Sequence, residues 1–220
     1  MQSRNMKTRS QCYIAPAEDI SRDGTETVTM EARLATAGLK DEKTGKLPAF
    51  VQIAIGMKAM VLLNIATEAE VANGTRGDIQ DIILDEREGM LEPDEDGAIR
   101  LSYPPSMILF RPDKPTRLTF RGLPPGIIPL TPSVANFVAT GRSGKKFKLK
   151  RRQYAMTPGY AYTDYKSQGQ TIENVIIDIG KPPTGSLSPF SVYVALSRST
   201  LLGCSEISIP ISCKIIHQRI

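Results

Sequence analysis

Long apolar runs are missing from this 220-residue chain. None reaches the roughly 18 residues that a bilayer-spanning helix needs, so no membrane partner is expected. The polar start Met1-Gln2-Ser3-Arg4-Asn5 carries no apolar stretch of the secretory kind, and an intracellular protein is expected. Histidine is nearly absent: His217 stands alone near the C-terminus, which excludes histidine-based hydrolase triads and histidine-containing metal sites and leaves it a surface role. Cysteine is scarce as well. Cys12, Cys204 and Cys213 are odd in number and have no CxxC spacing, so reduced structural thiols are expected rather than a disulfide framework or a zinc site. The chain also lacks a phosphate-cradling loop of the form GxxxxGK[ST]. Its nearest lookalikes, Gly38 with Gly45-Lys46 and Gly141 with Gly144-Lys145, are wrongly spaced and read as turns. Without that loop, Ile82-Ile83-Leu84-Asp85-Glu86 has no phosphate site to serve, although it imitates the strand-then-acid pattern that holds Mg²⁺ in nucleotide hydrolases.

What is present fits a folded globular chain of one or two domains: 40% hydrophobic and 23% charged residues. The net charge of +5 permits nucleic-acid binding, and where the charge sits matters more than its sum. Residues 1 to 47 show no long period apart from a short helix expected around Thr29 to Ala37. From Phe50, the alternation of Val51, Ile53 and Ile55, the break at Gly56 and the apolar run Met57 to Ile65 read as two adjacent strands. Asn73-Gly74-Thr75-Arg76-Gly77 reads as a turn leading into a strand through Ile79, Ile82, Ile83 and Leu84. Short strands are expected at Ala98 to Tyr103 and Met107 to Phe110, on either side of Pro104-Pro105, completing a small all-β unit. Prolines at 112, 115, 124, 125, 129 and 132 exclude regular helix and central strand over most of 111 to 132.

Two later segments carry chemistry. Lys145-Lys146-Phe147-Lys148-Leu149-Lys150-Arg151-Arg152 puts six cations in eight residues. As a strand it would show Lys146, Lys148 and Lys150 on one face and send Phe147 and Leu149 into a core, and the cationic face is either simply solvated or contacts phosphates. Further on, Tyr162-Thr163-Asp164-Tyr165-Lys166-Ser167-Gln168-Gly169-Gln170-Thr171 is a donor-rich polar turn before the apolar strand Val175 to Ile179. Gly169 lets the backbone approach a ligand closely, which suits a phosphate-rich partner. Pro189-Phe190-Ser191-Val192-Tyr193-Val194-Ala195-Leu196-Ser197-Arg198 then reads as a helix, with Pro189 in its first turn, Val192, Ala195 and Leu196 at helical spacing, and Arg198 at its end.

This pair of segments resembles motifs V and VI of the Pif and RecD type of superfamily-one DNA helicases, written there HKSQGQT and YVALSR; here Tyr165 stands in place of the histidine. The variant Thr163-Asp164-Tyr165 is similar to helicase-like genes of fungi, including those related to Helitron transposons. Gly56 to Asn64 and Asn73 to Gly77 resemble the family's "GMxVMLxxN" and "NGTRG", so the resemblance spans roughly residues 48 to 200.

The resemblance implies an α/β fold: a partial RecA-like second motor domain (48–65 and 156–200) with an inserted small Src-homology-like β-barrel (66–155), after an unassigned segment (1–47) and before a divergent tail (201–220). It implies ATP and Mg²⁺ as the family's cofactors, neither held tightly by this chain alone, and single-stranded DNA as partner. Lys166, Ser167, Gln168 and Thr171 would contact DNA together with Lys146, Lys148 and Lys150, and Gly169 and Gln170 would lie at the nucleotide. Arg198 would be the arginine finger at the γ-phosphate, neutralising charge that develops in phosphoryl transfer. By the same route a nuclear location and roles in DNA repair, recombination and telomere maintenance are expected. The first RecA-like domain, with the phosphate loop and the Mg²⁺ acid, is missing from the sequence, so a truncated product inactive on its own is expected. The tail after Thr200 departs from the family, as a shifted reading frame or a retained intron would make it. Two other readings stay open: a stand-alone β-barrel module in residues 50 to 155 that binds single strands, with only Phe147 and Tyr154 near the cationic strand to stack on, and a non-functional gene fragment.

Overall fold

A computed structural model describes residues 11–22, 28–65, 71–116, 118–162, 175–179, 188–197, 205–208 and 213–217. They fall into two compact units, Met1–Pro158 and Gly159–Ile220. The architecture is mixed α/β, with several sheets and few helices. No helix among the described residues is long and apolar enough to cross a membrane.

The first unit is built mainly of strands: β1 (Cys12–Pro16), β2 (Glu18–Ser21), β3 (Phe50–Ala54), β4 (Lys58–Val61), β5 (Arg76–Ile83), β6 (Ile99–Arg100), β7 (Met107–Pro112), β8 (Ile128–Leu130), β9 (Ser133–Thr140), β10 (Lys146–Gln153) and β11 (Met156–Pro158). They form a five-stranded sheet in the order β11-β4-β5-β7-β8 and two three-stranded sheets, β3-β1-β6 and β2-β10-β9. Among the described residues no sheet closes into a barrel. The strands within 66–155 are shared among all three sheets, and the N-terminal strands β1 and β2 supply partners that the sequence pattern did not reveal.

The alternation that marked β3 is real for Val51 and Ile53, which are buried between exposed Phe50 and Gln52. It stops one residue early: the strand ends at Ala54, and Ile55 is exposed in the turn that Gly56 makes at φ 80°. In β5 the isoleucines do not alternate, and a bulge between Ile79 and Asp81 explains how both Ile79 and Ile82 reach the core. Pro129 lies in β8, the outermost strand of its sheet, where a missing N–H breaks no central ladder. The expected helix is present as α1 (Met30–Ala37). Thr29 caps it by accepting from the Ala32 N–H at 3.3 Å, and Ala35 and Leu39 pack on Phe137, Ala139 and Leu149.

The second unit holds β12 (Ala161–Tyr162), β13 (Val175–Ile179), α2 (Pro189–Leu196), β14 (Ser205–Ser208) and β15 (Cys213–His217). Its sheet runs β12-β15-β13-β14, with β13 parallel to β14 and antiparallel to β15. Part of the tail after Thr200 therefore pairs with the apolar strand Val175–Ile179. α2 starts as its sequence directs: the Ser188 hydroxyl accepts from the Ser191 N–H at 3.1 Å, and Pro189 occupies the first turn. Its buried residues are Val194 and Ala195, with Val192 partly covered. Leu196, expected on the apolar stripe, is exposed, because the helix ends there at the cap residue Ser197.

Candidate nucleic-acid interface

β10 is the centre of its sheet and divides the basic run by strand parity. Lys146, Lys148 and Lys150 are exposed on one face, while Leu149, Arg151 and Gln153 are buried on the other and Phe147 is half-buried there. The lysines recur at every second residue, roughly 7 Å apart along the strand. Among the described residues no carboxylate pairs with any of the three. The face around them carries Val134, Asn136, Val138 and Thr140 from β9 and Ile20 from β2.

The arginines of the run do something else. Arg151 is only 3% exposed; its Nε and a terminal nitrogen donate to the two carboxylate oxygens of Asp19 at 2.7 and 2.8 Å, and its other terminal nitrogen donates to the Leu47 carbonyl at 3.0 Å. Arg152 pairs with Glu18 at 2.7 Å and lies 3.5 Å from Asp85. Of the six cations in the run, the two arginines are thus tied up in ion pairs within the protein. The parity shared with Phe147 and Leu149 was the sequence signal that placed Arg151 inside.

Asp85, the residue that imitates a Mg²⁺ acid, is fully engaged by arginine. It accepts from the Arg87 backbone N–H at 3.1 Å, from Nε at 2.8 Å and from a terminal nitrogen at 3.0 Å. These bonds hold its carboxyl well below the usual carboxylate range. Arg87 also donates to Glu18 at 2.8 Å and stacks 3.9 Å over the Tyr103 ring. No cluster of three metal-ligating side chains occurs among the described residues. Both loop lookalikes are turns: Gly45 is left-handed at the end of a short 3-10 turn, Asp41–Thr44, and Gly141 to Lys145 is the hairpin between β9 and β10.

Aromatic side chains do not join the lysine face. Tyr154 is fully buried and donates to the Pro105 carbonyl at 3.0 Å, and burial pushes its phenol well above the usual range. Phe147 packs towards the α1 side. A base-stacking platform is thus absent from this face among the described residues, and exposed positive charge is what it presents. The other expected site residues, Lys166, Ser167, Gln168, Gly169, Gln170, Thr171 and Arg198, lie outside the described residues.

No family model matches the chain, and no curated protein matches it. Among the solved structures it resembles are Pif1 helicases. It is similar to Pif1 helicase from Candida albicans at 16% identity, over 90% of this chain and 40% of that one, with a TM-score of 0.47. It is similar to Bacteroides Pif1 bound to ssDNA at 16% identity, over 90% and 35%, with a TM-score of 0.49. For Bacteroides sp Pif1 in complex with ADP-AlF4 the values are 16%, 92% and 36%, with a TM-score of 0.43. The chain spans between 33% and 44% of the length of the Pif1 structures it matches.

Proposed function

We propose that this chain is the C-terminal part of an ATP-dependent DNA helicase of the Pif and RecD type, contributing DNA contacts and an arginine finger to a nucleotide site completed by another domain. One observation carries the reading: Tyr193-Val194-Ala195-Leu196 closes a capped helix, Ser197 is its cap, and that helix lies in sequence between two strands paired in parallel, β13 and β14, with Arg198 next in the sequence. A strand, helix, parallel strand connection is the repeating unit of doubly wound nucleotide-binding sheets, and the family's finger follows such a helix. The sequence Lys166 to Thr171, ahead of β13, supports the same assignment.

The division of labour follows from chemistry. A phosphate loop and a Mg²⁺-holding acid are needed to bind the nucleotide, and this sequence has no such loop. ATP and Mg²⁺ would be held elsewhere, and Arg198 would supply one fixed positive charge to the γ-phosphate. Gly169 and Gln170 would lie at the nucleotide, and Lys166, Ser167, Gln168 and Thr171 would link that site to single-stranded DNA. Lys146, Lys148 and Lys150 would grip the same strand through its phosphates. A nuclear location and the fungal, Helitron-like subtype belong to the same reading, as does residues 66–155 being the counterpart of the family's inserted β unit.

The test is steady-state ATP hydrolysis by the purified chain with single-stranded DNA present. No turnover above background is expected, together with DNA binding that weakens steeply with salt. When the chain is joined to a domain bearing the phosphate loop, turnover should appear, and Arg198→Ala should lower it by roughly 10³ or more without weakening nucleotide binding. Helicase-rate hydrolysis by the chain alone, surviving a contaminant control, would refute the division of labour. An Arg198→Ala fusion as fast as the parent would refute the finger.

A further inference from the structure

β9 is an outer strand, Ser133-Val134-Ala135-Asn136-Phe137-Val138-Ala139-Thr140, with β10 on one side and no strand on the other among the described residues. Its ladder fixes which backbone groups face that open side. The Gly141 N–H donates to the Lys145 carbonyl at 2.8 Å, making 141 and 145 a hydrogen-bonded pair at the hairpin end. In an antiparallel ladder such pairs alternate with pairs whose N–H and C=O groups turn outward. Counting back along the register, the outward residues of β9 are Thr140, Val138, Asn136 and Val134. The same parity turns the Lys148 carbonyl towards β2, where the Arg22 N–H reaches it at 3.0 Å.

Sheet edges are ordinarily blunted by charge, proline, a bulge or a covering element. β9 contains no charged residue and no proline, and its register runs unbroken from Thr140 to Ser133. Val134 and Val138 are 51% and 52% exposed. The neighbouring elements cover the inner face instead: α1 packs against Phe137 and Ala139, and a Cβ on Gly45 would stand 2.6 Å from that of Ala135. Charge narrows the choice of occupant. Arg151 and Arg152 are neutralised by Asp19 and Glu18, but residues 133 to 150 still hold five Lys and Arg and no Asp or Glu, with Lys146, Lys148 and Lys150 exposed, so a second copy of this edge would be repelled and an acidic segment attracted.

We propose that β9 is a docking edge that takes an extended, acidic peptide segment of a partner protein as an added strand. Main-chain bonds to Val134, Asn136, Val138 and Thr140 supply the affinity, and the row Lys146, Lys148, Lys150, one strand further in, selects acidic side chains on the exposed face. This goes beyond the DNA-contact reading, because it uses the backbone rim of β9 and would survive the loss of any nucleic-acid role.

The probe is a fluorescent peptide of alternating Glu and Thr, titrated into the full chain at low salt. Saturable binding is expected. It should fall about tenfold or more when alternate peptide amides are N-methylated, and by a similar factor in Val138→Pro, which removes an outward N–H and no ladder bond. Val138→Glu, which leaves the backbone intact and adds a like charge, should also weaken it and decides the matter should Val138→Pro fail to fold by circular dichroism. Absent binding, or binding indifferent to N-methylation and to Val138→Glu, overturns the proposal. So does displacement by oligothymidylate of a peptide that ignores both changes, which would leave only a phosphate-binding face. A concentration-dependent dimer in sedimentation, abolished by Val138→Pro, would assign the edge to a second copy and overturn the acidic partner.

Discussion

Arg151 grips both carboxylate oxygens of Asp19, at 2.7 and 2.8 Å, with its guanidinium almost wholly removed from water. A third donor reaches the Leu47 carbonyl, so one buried cation ties β2 and β10 to the chain entering β3. β2 is thereby locked onto the basic strand.

Removing one partner of such a pair leaves a buried charge uncompensated, whereas replacing both with apolar groups is close to neutral. Asp19→Ala is expected to lower unfolding free energy by about 3 kcal/mol, and Asp19→Leu with Arg151→Met to recover most of that loss. Urea denaturation of the three proteins checks this. Equal midpoints for the parent and Asp19→Ala would mean that the pair contributes nothing.

The exposed lysines should behave in the opposite way. Replacing Lys146, Lys148 and Lys150 with Ala breaks no ion pair among the described residues and no buried contact, so thermal stability should hold within a few degrees. Affinity for single-stranded DNA should drop, and the slope of log K against log salt should lose about 0.7 for each phosphate contact removed. With no aromatic on this face, oligo-dA and oligo-dT should bind alike. An unchanged slope in the triple variant would detach the lysines from DNA.

Local patterns were legible in the sequence wherever periodicity and turn chemistry agree: the Thr29 cap, the buried pair Val51 and Ile53, the left-handed Gly56 and the outward lysines of β10 all stand where residue type puts them. Long-range pairing was not legible. Nothing in Cys12–Pro16 or Glu18–Ser21 names Phe50–Ala54 and Lys146–Gln153 as partners, because ladder bonds are made by backbone groups that every residue carries. The three-sheet sharing therefore had to come from the structure. Arg151 was missed for a related reason: arginine ordinarily reads as surface, and only its acid partner, 132 positions away, makes burial tolerable. Of the candidate site, the outward placing of Lys146, Lys148 and Lys150 was legible, and Lys166 to Thr171 and Arg198 lie outside the described residues.

Acid should loosen the network around Arg87. Hydrogen bonds from Arg87, then Arg152, outweigh burial and hold the Glu18 carboxyl below its ordinary 4.5, and Arg87 likewise holds Asp85 below its ordinary 3.8. Both folded values are depressed, so their stabilising contribution is complete above the unfolded values and is lost as pH falls through the folded ones. The melting-temperature gap between the parent and Arg87→Met is expected to be constant above about pH 5 and to shrink below it. A gap of the same size at low and neutral pH would show that it arises from the stacking of Arg87 on Tyr103.

Two glycines of Asn73-Gly74-Thr75-Arg76-Gly77 should respond differently to alanine, because they are glycine for different reasons. Gly74 sits at φ 93° with nothing within 4 Å of an added Cβ, so Gly74→Ala meets conformational strain alone, about 1 kcal/mol. Gly77 has no such φ, but its Cβ would stand 2.1 Å from the Arg111 carbonyl oxygen and 2.7 Å from the Phe110 ring, where β5 pairs with β7. A backbone atom cannot rotate away, so Gly77→Ala must push the two strands apart and disturb Phe110, which lies in the main core. A loss of about 3 kcal/mol is expected. In a Gly74→Ala, Gly77→Ala and double-variant set followed by urea denaturation, Gly77→Ala should dominate. A larger loss at Gly74 than at Gly77 would mean that the turn, and not the close approach of β5 to β7, sets the need for glycine here.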